Sequence, residues 1–149
     1  MATVAFASFL AVDPFMVTTS LEPFIKVRGV MCAGCLALLA MTWTPWGSTR
    51  PTVIGIAVGV WTGFGVVILT EMTGGAQSPY WTMVMLTFFT VALILPMSIP
   101  QALLCFGSTA LFYDAWMLHN DATSSMNHWA GSNAGVWLSM LVSVGAVGY

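Results

Sequence analysis

The sequence predicts an all-α protein, a bundle of about six transmembrane helices with five as the alternative count. Its 149 residues include three Lys or Arg, five Asp or Glu, and 58% hydrophobic residues, a composition typical of multi-pass membrane proteins. Glu71 is the only charged residue between Pro51 and Tyr113. A charge at the bilayer centre costs about 2.5–3.5 kcal/mol on the mildest scale. We therefore expect a multi-pass protein, and we place it in the bacterial cytoplasmic (inner) membrane.

Clusters of Pro, Gly and charged residues divide the chain into apolar segments, which we interpret as spans of one helical domain, residues 1–149. We expect each segment to be long enough, as a helix, to cross about 30 Å of hydrocarbon at about 1.5 Å per residue. The first segment is interrupted by Asp13-Pro14, which is why five spans remain the alternative. The predicted spans are residues 3–19, 27–46, 52–72, 80–96, 101–118 and 130–149.

The connections between spans are short and carry few charges. Lys26 and Arg28 fall in the predicted first loop and Arg50 in the second, so the positive-inside rule leaves the orientation in the membrane open. Pro96 and Pro100 interrupt any continuous helix. They predict a hairpin in which spans four and five are antiparallel neighbours.

Glycines recur every four residues on one face of the third span, at Gly55, Gly59 and Gly63. Such a face lets another helix backbone approach closely. We expect it to contact a helix of the same bundle, with docking onto another protein as the alternative. Weaker versions of the pattern, also expected to pack internally, are Gly29, Ala33 and Ala37 on span two and Gly131 with Gly135 on span six.

Three acidic residues lie in or near the apolar spans and are candidate polar sites: Asp13, Glu71 and Asp114. An intramembrane carboxylate is a candidate for a proton or ion path. Glu71 and Asp114 both fall near one interface, where they can reach water. No basic residue lies inside a predicted span to pair with these acids, so the sequence does not favour a transport function.

The two histidines, His119 and His128, lie in or beside the predicted last loop. A pigment or haem held inside the bundle normally takes an axial imidazole from mid-span. We therefore predict no cofactor, and an interfacial pigment or haem contact at these histidines is the alternative. Cys32 and Cys35 have CxxC spacing without a second pair, so we expect small core thiols and no metal site.

Several function classes are excluded or disfavoured by the residues. Three basic residues provide no electrostatic surface for nucleic acid. The chain contains no nucleophile elbow, phosphate-binding loop or zinc-binding HExxH helix. We therefore predict that the protein is not an enzyme and has no catalytic residues.

Residues 73–80, TGGAQSPY, are followed by an apolar span, by Leu95-Pro96 and at once by another apolar span. This arrangement, together with Arg28 near the start of span two, resembles the six-helix membrane input domain of bacterial sensor histidine kinases and nucleotide cyclases. The resemblance covers roughly residues 20–149. It implies cytoplasmic termini and a charged linker after the sixth helix. The sequence reaches Tyr149 without that linker, so the expectation is an input domain without its effector.

Two functions follow from these observations. The first is a non-catalytic subunit of a larger membrane complex, such as a photosynthetic or respiratory assembly, whose partners are other integral membrane subunits and lipids. The second is a sensory input module that responds to a lipid-soluble ligand or to the state of the membrane, acting through a separate or missing kinase or cyclase. We favour the subunit.

Overall fold

The computed structural model describes residues 21–78, 80–94, 97–120 and 126–147. These residues form helices joined by turns, without a strand, which confirms the all-α prediction. The predicted span 3–19, with Asp13, lies outside the described residues. The helices are α1 (Leu21–Met41), α2 (Pro45–Ser48), α3 (Pro51–Met72), α4 (Trp81–Ile94), α5 (Ile99–Asn120) and α6 (Met126–Val147), with a 3-10 turn at Gly75–Gln77 between α3 and α4.

Helices α3 to α6 form a ring, and α1 packs on its outside. Helix α3 contacts α1, α4 and α5, while α6 contacts α4 and α5. Helices α4 and α5 therefore lie diagonally across the ring, where Phe88 and Phe106 meet with ring centroids 5.2 Å apart. The predicted side-by-side packing of spans four and five is wrong. Gly59 and Gly63 let α5 approach α3 closely, so the neighbours in the bundle do not follow the order of helices along the chain.

The core fills the centre of this ring. Its largest fully buried side chains come from α1, α3, α4, α5 and α6, so a single apolar interior joins these five helices. The buried residues that define it include Phe24, Leu69, Phe88, Phe106, Tyr113 and Met117.

Helix α1 begins and ends about five residues earlier than the predicted span 27–46. Lys26 and Arg28 therefore lie on the helix and not in a loop. The C-terminal end is fixed by Thr42, whose hydroxyl donates to the Leu39 carbonyl at 2.6 Å. Pro45 then occupies the first turn of α2, with Thr44 as its N-cap, because proline suits a first turn and breaks a helix interior.

Three of the described helices are long and apolar enough to cross a membrane: Glu22–Met41, Pro51–Met72 and Ala130–Val147. This finding fits a membrane protein. Trp81–Leu93 is apolar but shorter. The 14 residues of α4 extend only about 21 Å at the usual helical rise.

The last predicted loop is shorter than the sequence indicated. His119 lies in the last turn of α5, and His128 lies in the first turn of α6. Helix α5 begins two residues before its predicted span, where the Ser98 amide donates to Gln101 Oε1 at 2.8 Å. This bond is half of a capping box, which explains the early start.

Candidate functional site

The most elaborate polar site lies where α1, the turn after α3 and the start of α4 meet. We call it the Arg28 cluster, and it consists of Phe24, Arg28, Thr73, Ser78 and Tyr80. Arg28 is only 4% exposed although its guanidinium is always charged. Its Nη2 donates to the Tyr80 hydroxyl at 3.4 Å, a long and therefore weak hydrogen bond.

Aromatic rings also lie beside this guanidinium. The Arg28 Cζ atom lies 5.3 Å from the centre of the Phe24 ring, within the range of a cation–π interaction. Phe24 in turn packs edge-on against Tyr80, with ring centroids 5.7 Å apart. A buried charge is costly unless it is partnered, so these contacts identify Arg28 as a fixed part of the fold.

The turn that carries Tyr80 is held by its own hydrogen bonds. Gly74 and Gly75 have positive φ values of 118° and 61°, which glycine adopts without steric cost. The Thr73 and Ser78 hydroxyl oxygens are 2.6 Å apart, and the Tyr80 amide donates to Ser78 Oγ at 3.1 Å. Residues of the TGGAQSPY motif thus form a closed turn that positions Tyr80 against Arg28.

Asp114 forms a second polar contact, between α5 and α6. Trp137 Nε1 donates to Asp114 Oδ2 at 2.8 Å. Asp114 Oδ1 is buried and has no hydrogen-bond partner among the described residues. The sequence identified Asp114 but not Trp137, because the contact depends on which face of α6 meets α5.

We expect Trp137→Phe to lower the free energy of unfolding by about 1 kcal/mol. That value lies between the average of about 0.6 kcal/mol for interhelical bonds in membranes and the 1.5–3 kcal/mol typical of bonds to charged groups. A double-mutant cycle with Asp114→Ala, which removes the acceptor, measures the coupling. Trp43→Phe, at a tryptophan that is 83% exposed, is the control. Equal losses from Trp137→Phe in wild-type and Asp114→Ala backgrounds would contradict the contact.

The predicted glycine face lies inside the described bundle. A Cβ atom at Gly59 would lie 2.8 Å from Cys105 Sγ, and one at Gly63 would lie 2.5 Å from Thr109 Oγ1. Cys105 and Thr109 belong to α5, so this part of the face receives α5. Gly55 occupies the same face one turn earlier and is half-buried.

The small residues of α1 were expected to pack internally, and that expectation is wrong. Gly29, Ala33 and Ala37 are all exposed, and a Cβ atom at Gly29 would meet nothing within 4 Å. Helix α1 instead contacts α3 through another face, where Trp61 Nε1 donates to the Met31 carbonyl at 3.0 Å. On α6 the expectation fails at Gly131, which is exposed, whereas a Cβ at Gly135 would meet Trp81.

The remaining candidates do not converge on one centre. Glu71 is half-buried in the last turn of α3, and His119 is exposed at the end of α5. Cys35 Sγ lies 3.8 Å from Thr62 Oγ1 in the α1–α3 contact. Within the described residues, no three His, Cys, Asp or Glu side chains group in a way that could hold a metal ion.

Comparison with known proteins identifies no relative of this chain. No family model, curated protein or solved structure matches the chain.

Proposed function

We propose that this chain is a non-catalytic, multi-pass integral membrane subunit that packs against partner helices in a larger complex, such as a photosynthetic or respiratory assembly of the bacterial inner membrane. One observation carries the proposal. Helix α1 has an outward face of small residues at four-residue spacing, Gly29, Ala33 and Ala37, and small residues are typical of contacts between membrane helices.

The exposure of α1 supports this assignment. Only 22% of its apolar window is buried, compared with 44% for α3. Large apolar side chains flank the small residues, among them Val30 at 61% and Leu36 at 52% exposed. This pattern provides a shallow groove with apolar walls, the shape onto which a second helix packs closely.

The glycine face of α3 is not the surface that this proposal uses. Thr109 and Cys105 of α5 already lie against Gly63 and Gly59. A partner helix would have to displace α5 from the core to reach them. The partner surface is therefore assigned to α1.

We expect Ala33→Leu to remove the partner while leaving the bundle intact, because a large side chain would hold a second helix away from the groove. The test is purification from native membranes in mild detergent, with an absorption spectrum and quantitative mass spectrometry of co-eluting proteins. Ala134→Leu changes an exposed alanine of α6 and is the matched control. Wild-type protein recovered alone, or a partner retained equally in both variants, would contradict the proposal.

A sensory input module is the second candidate, and the Arg28 cluster favours it. The two features that resemble such domains, Arg28 and the TGGAQSPY motif, meet through the contact of Arg28 with Tyr80. A module of this kind could respond to a lipid-soluble ligand or to the membrane itself and act on a separate kinase or cyclase. Recovery of the wild-type protein without other membrane subunits and without pigment bands would favour this candidate over the subunit.

A further inference from the structure

A groove on the outer side of the bundle lies between α1, α3 and α5. Its volume is about 370 Å³, and its walls include Val30, Met31, Trp61, Phe64 and Phe112. Trp61 donates its only polar hydrogen to the Met31 carbonyl, and Phe64 stacks on Phe112 with centroids 4.3 Å apart. The groove therefore presents apolar surface, and its volume lies within the usual range for ligand sites, about 300–1,000 Å³.

One end of the groove carries charge. Lys26 is the only charged side chain among the described residues that line it. Its Nζ atom lies 2.6 Å from Glu22 Oε1, and these side chains are 72% and 77% exposed. Ion pairs this exposed contribute little to stability, so both groups can exchange partners at small cost.

From the apolar groove to the first turn of α1, the order of these groups matches the order of groups in a phospholipid. The apolar groove extends about 10 Å along α3 from Trp61 to Ile68, at the usual helical rise. The Lys26 ammonium follows at its mouth, and the Glu22 carboxylate lies one turn closer to the end of the helix. We infer that the groove binds one zwitterionic phospholipid, phosphatidylethanolamine: an acyl chain in the groove, the phosphate on Lys26 and the headgroup ammonium on Glu22.

Charge complementarity favours a zwitterionic headgroup over an anionic one. An anionic headgroup would pair with Lys26 but would be repelled by Glu22 one turn away. A lipid-soluble ring compound with polar oxygens would need donors inside the groove, and the described lining residues there are apolar. A headgroup that carries a phosphate and an ammonium pairs with both side chains at once.

Native mass spectrometry of the detergent-purified full chain tests the inference. The protein is incubated with equal amounts of phosphatidylethanolamine and phosphatidylglycerol, and we expect one bound phosphatidylethanolamine. Lys26→Gln should lower its affinity about tenfold, the loss expected for one charge-assisted hydrogen bond. The charge exchange Glu22→Lys with Lys26→Glu keeps an ion pair but reverses the order of charges, and it should abolish the preference for phosphatidylethanolamine.

A matched pair of variants tests the groove itself. Val30→Trp would fill it, whereas Val142→Trp changes a valine of similar exposure on α6, 51% compared with 61%. We expect lipid loss in the first variant alone. Binding of phosphatidylglycerol in preference, binding unaffected by Val30→Trp, or no bound lipid would overturn the inference.

Photolabelling of the wild-type protein tests the inference without requiring that any variant folds. Phosphatidylethanolamine with a photoactivatable group in its acyl chain should label peptides that contain Val30 and Phe64, which line the groove. Labelling spread evenly over the exposed faces of α1, α5 and α6 would overturn the inference.

Discussion

Gly63→Leu is expected to prevent stable folding, with a loss of more than about 3 kcal/mol, above the usual cost of overpacking a core. A Cβ atom at Gly63 would already lie 2.5 Å from Thr109 Oγ1 and 2.6 Å from its Cγ2. Thr109 has little freedom to move, because it is 1% exposed and its hydroxyl donates to the Cys105 carbonyl at 3.1 Å. Unfolding in detergent, followed by circular dichroism, provides the measurement.

A smaller change at the same position shows whether this contact is the cause. We expect Gly63→Ala to cost about 1–3 kcal/mol and to be partly rescued by Thr109→Ala, which removes the two nearest atoms. Gly29→Ala is the matched control, since its Cβ would meet nothing within 4 Å. Equal melting temperatures for Gly63→Ala and Gly29→Ala would show that α5 does not pack on Gly63 as described.

Arg28→Ala should lower the free energy of unfolding by about 2–4 kcal/mol, because it leaves a cavity beside Phe24 and removes the cation–π contact. It also removes the donor to the Tyr80 hydroxyl. Arg28→Lys keeps the positive charge but loses the planar guanidinium group, so we expect a smaller decrease in the free energy of unfolding than for Arg28→Ala. Arg50→Ala, at an exposed arginine over Trp46, should cost less than about 1 kcal/mol.

Hydrogen exchange locates the effect of Arg28→Ala. The Tyr80 amide is bonded to Ser78 Oγ within the turn after α3, and this turn rests on Arg28 through Tyr80. We expect faster exchange at the Tyr80 amide in the variant and unchanged exchange in the middle of α6. A uniform increase over the whole bundle would indicate general destabilisation instead of a local anchor.

The sequence predicted α3 best and α1 least well. Helix α3 matches its predicted span to within one residue, because Pro51 and the Thr73-Gly74 turn bound an almost uncharged stretch. Helix α1 contains Lys26 and Arg28, which were predicted to lie in a loop because they are charged. Arg28 is accommodated by Phe24 and Tyr80, contacts that arise only after the helices pack.

The candidate contacts were predictable only in part, because they too depend on how the helices pack. The four-residue periodicity correctly predicted that small residues share one face of α1, but it did not predict whether that face is buried or exposed. Small residues recur every four positions on both helices, but on α3 they face α5, whereas on α1 they face outward. Trp137 was missed because a tryptophan in a membrane helix carries no sequence signal for its partner, here Asp114 on α5.

Photocrosslinking in native membranes tests the proposed subunit function most directly. A photoreactive amino acid is placed at Ala33 on the outward face of α1 or, as a control, at Leu138, a residue of α6 that is 62% exposed. We predict that position 33 forms one crosslinked product with a single membrane protein in fixed proportion and that position 138 reacts with lipid. Lipid products at both positions would contradict the assignment of α1 as a partner-binding helix.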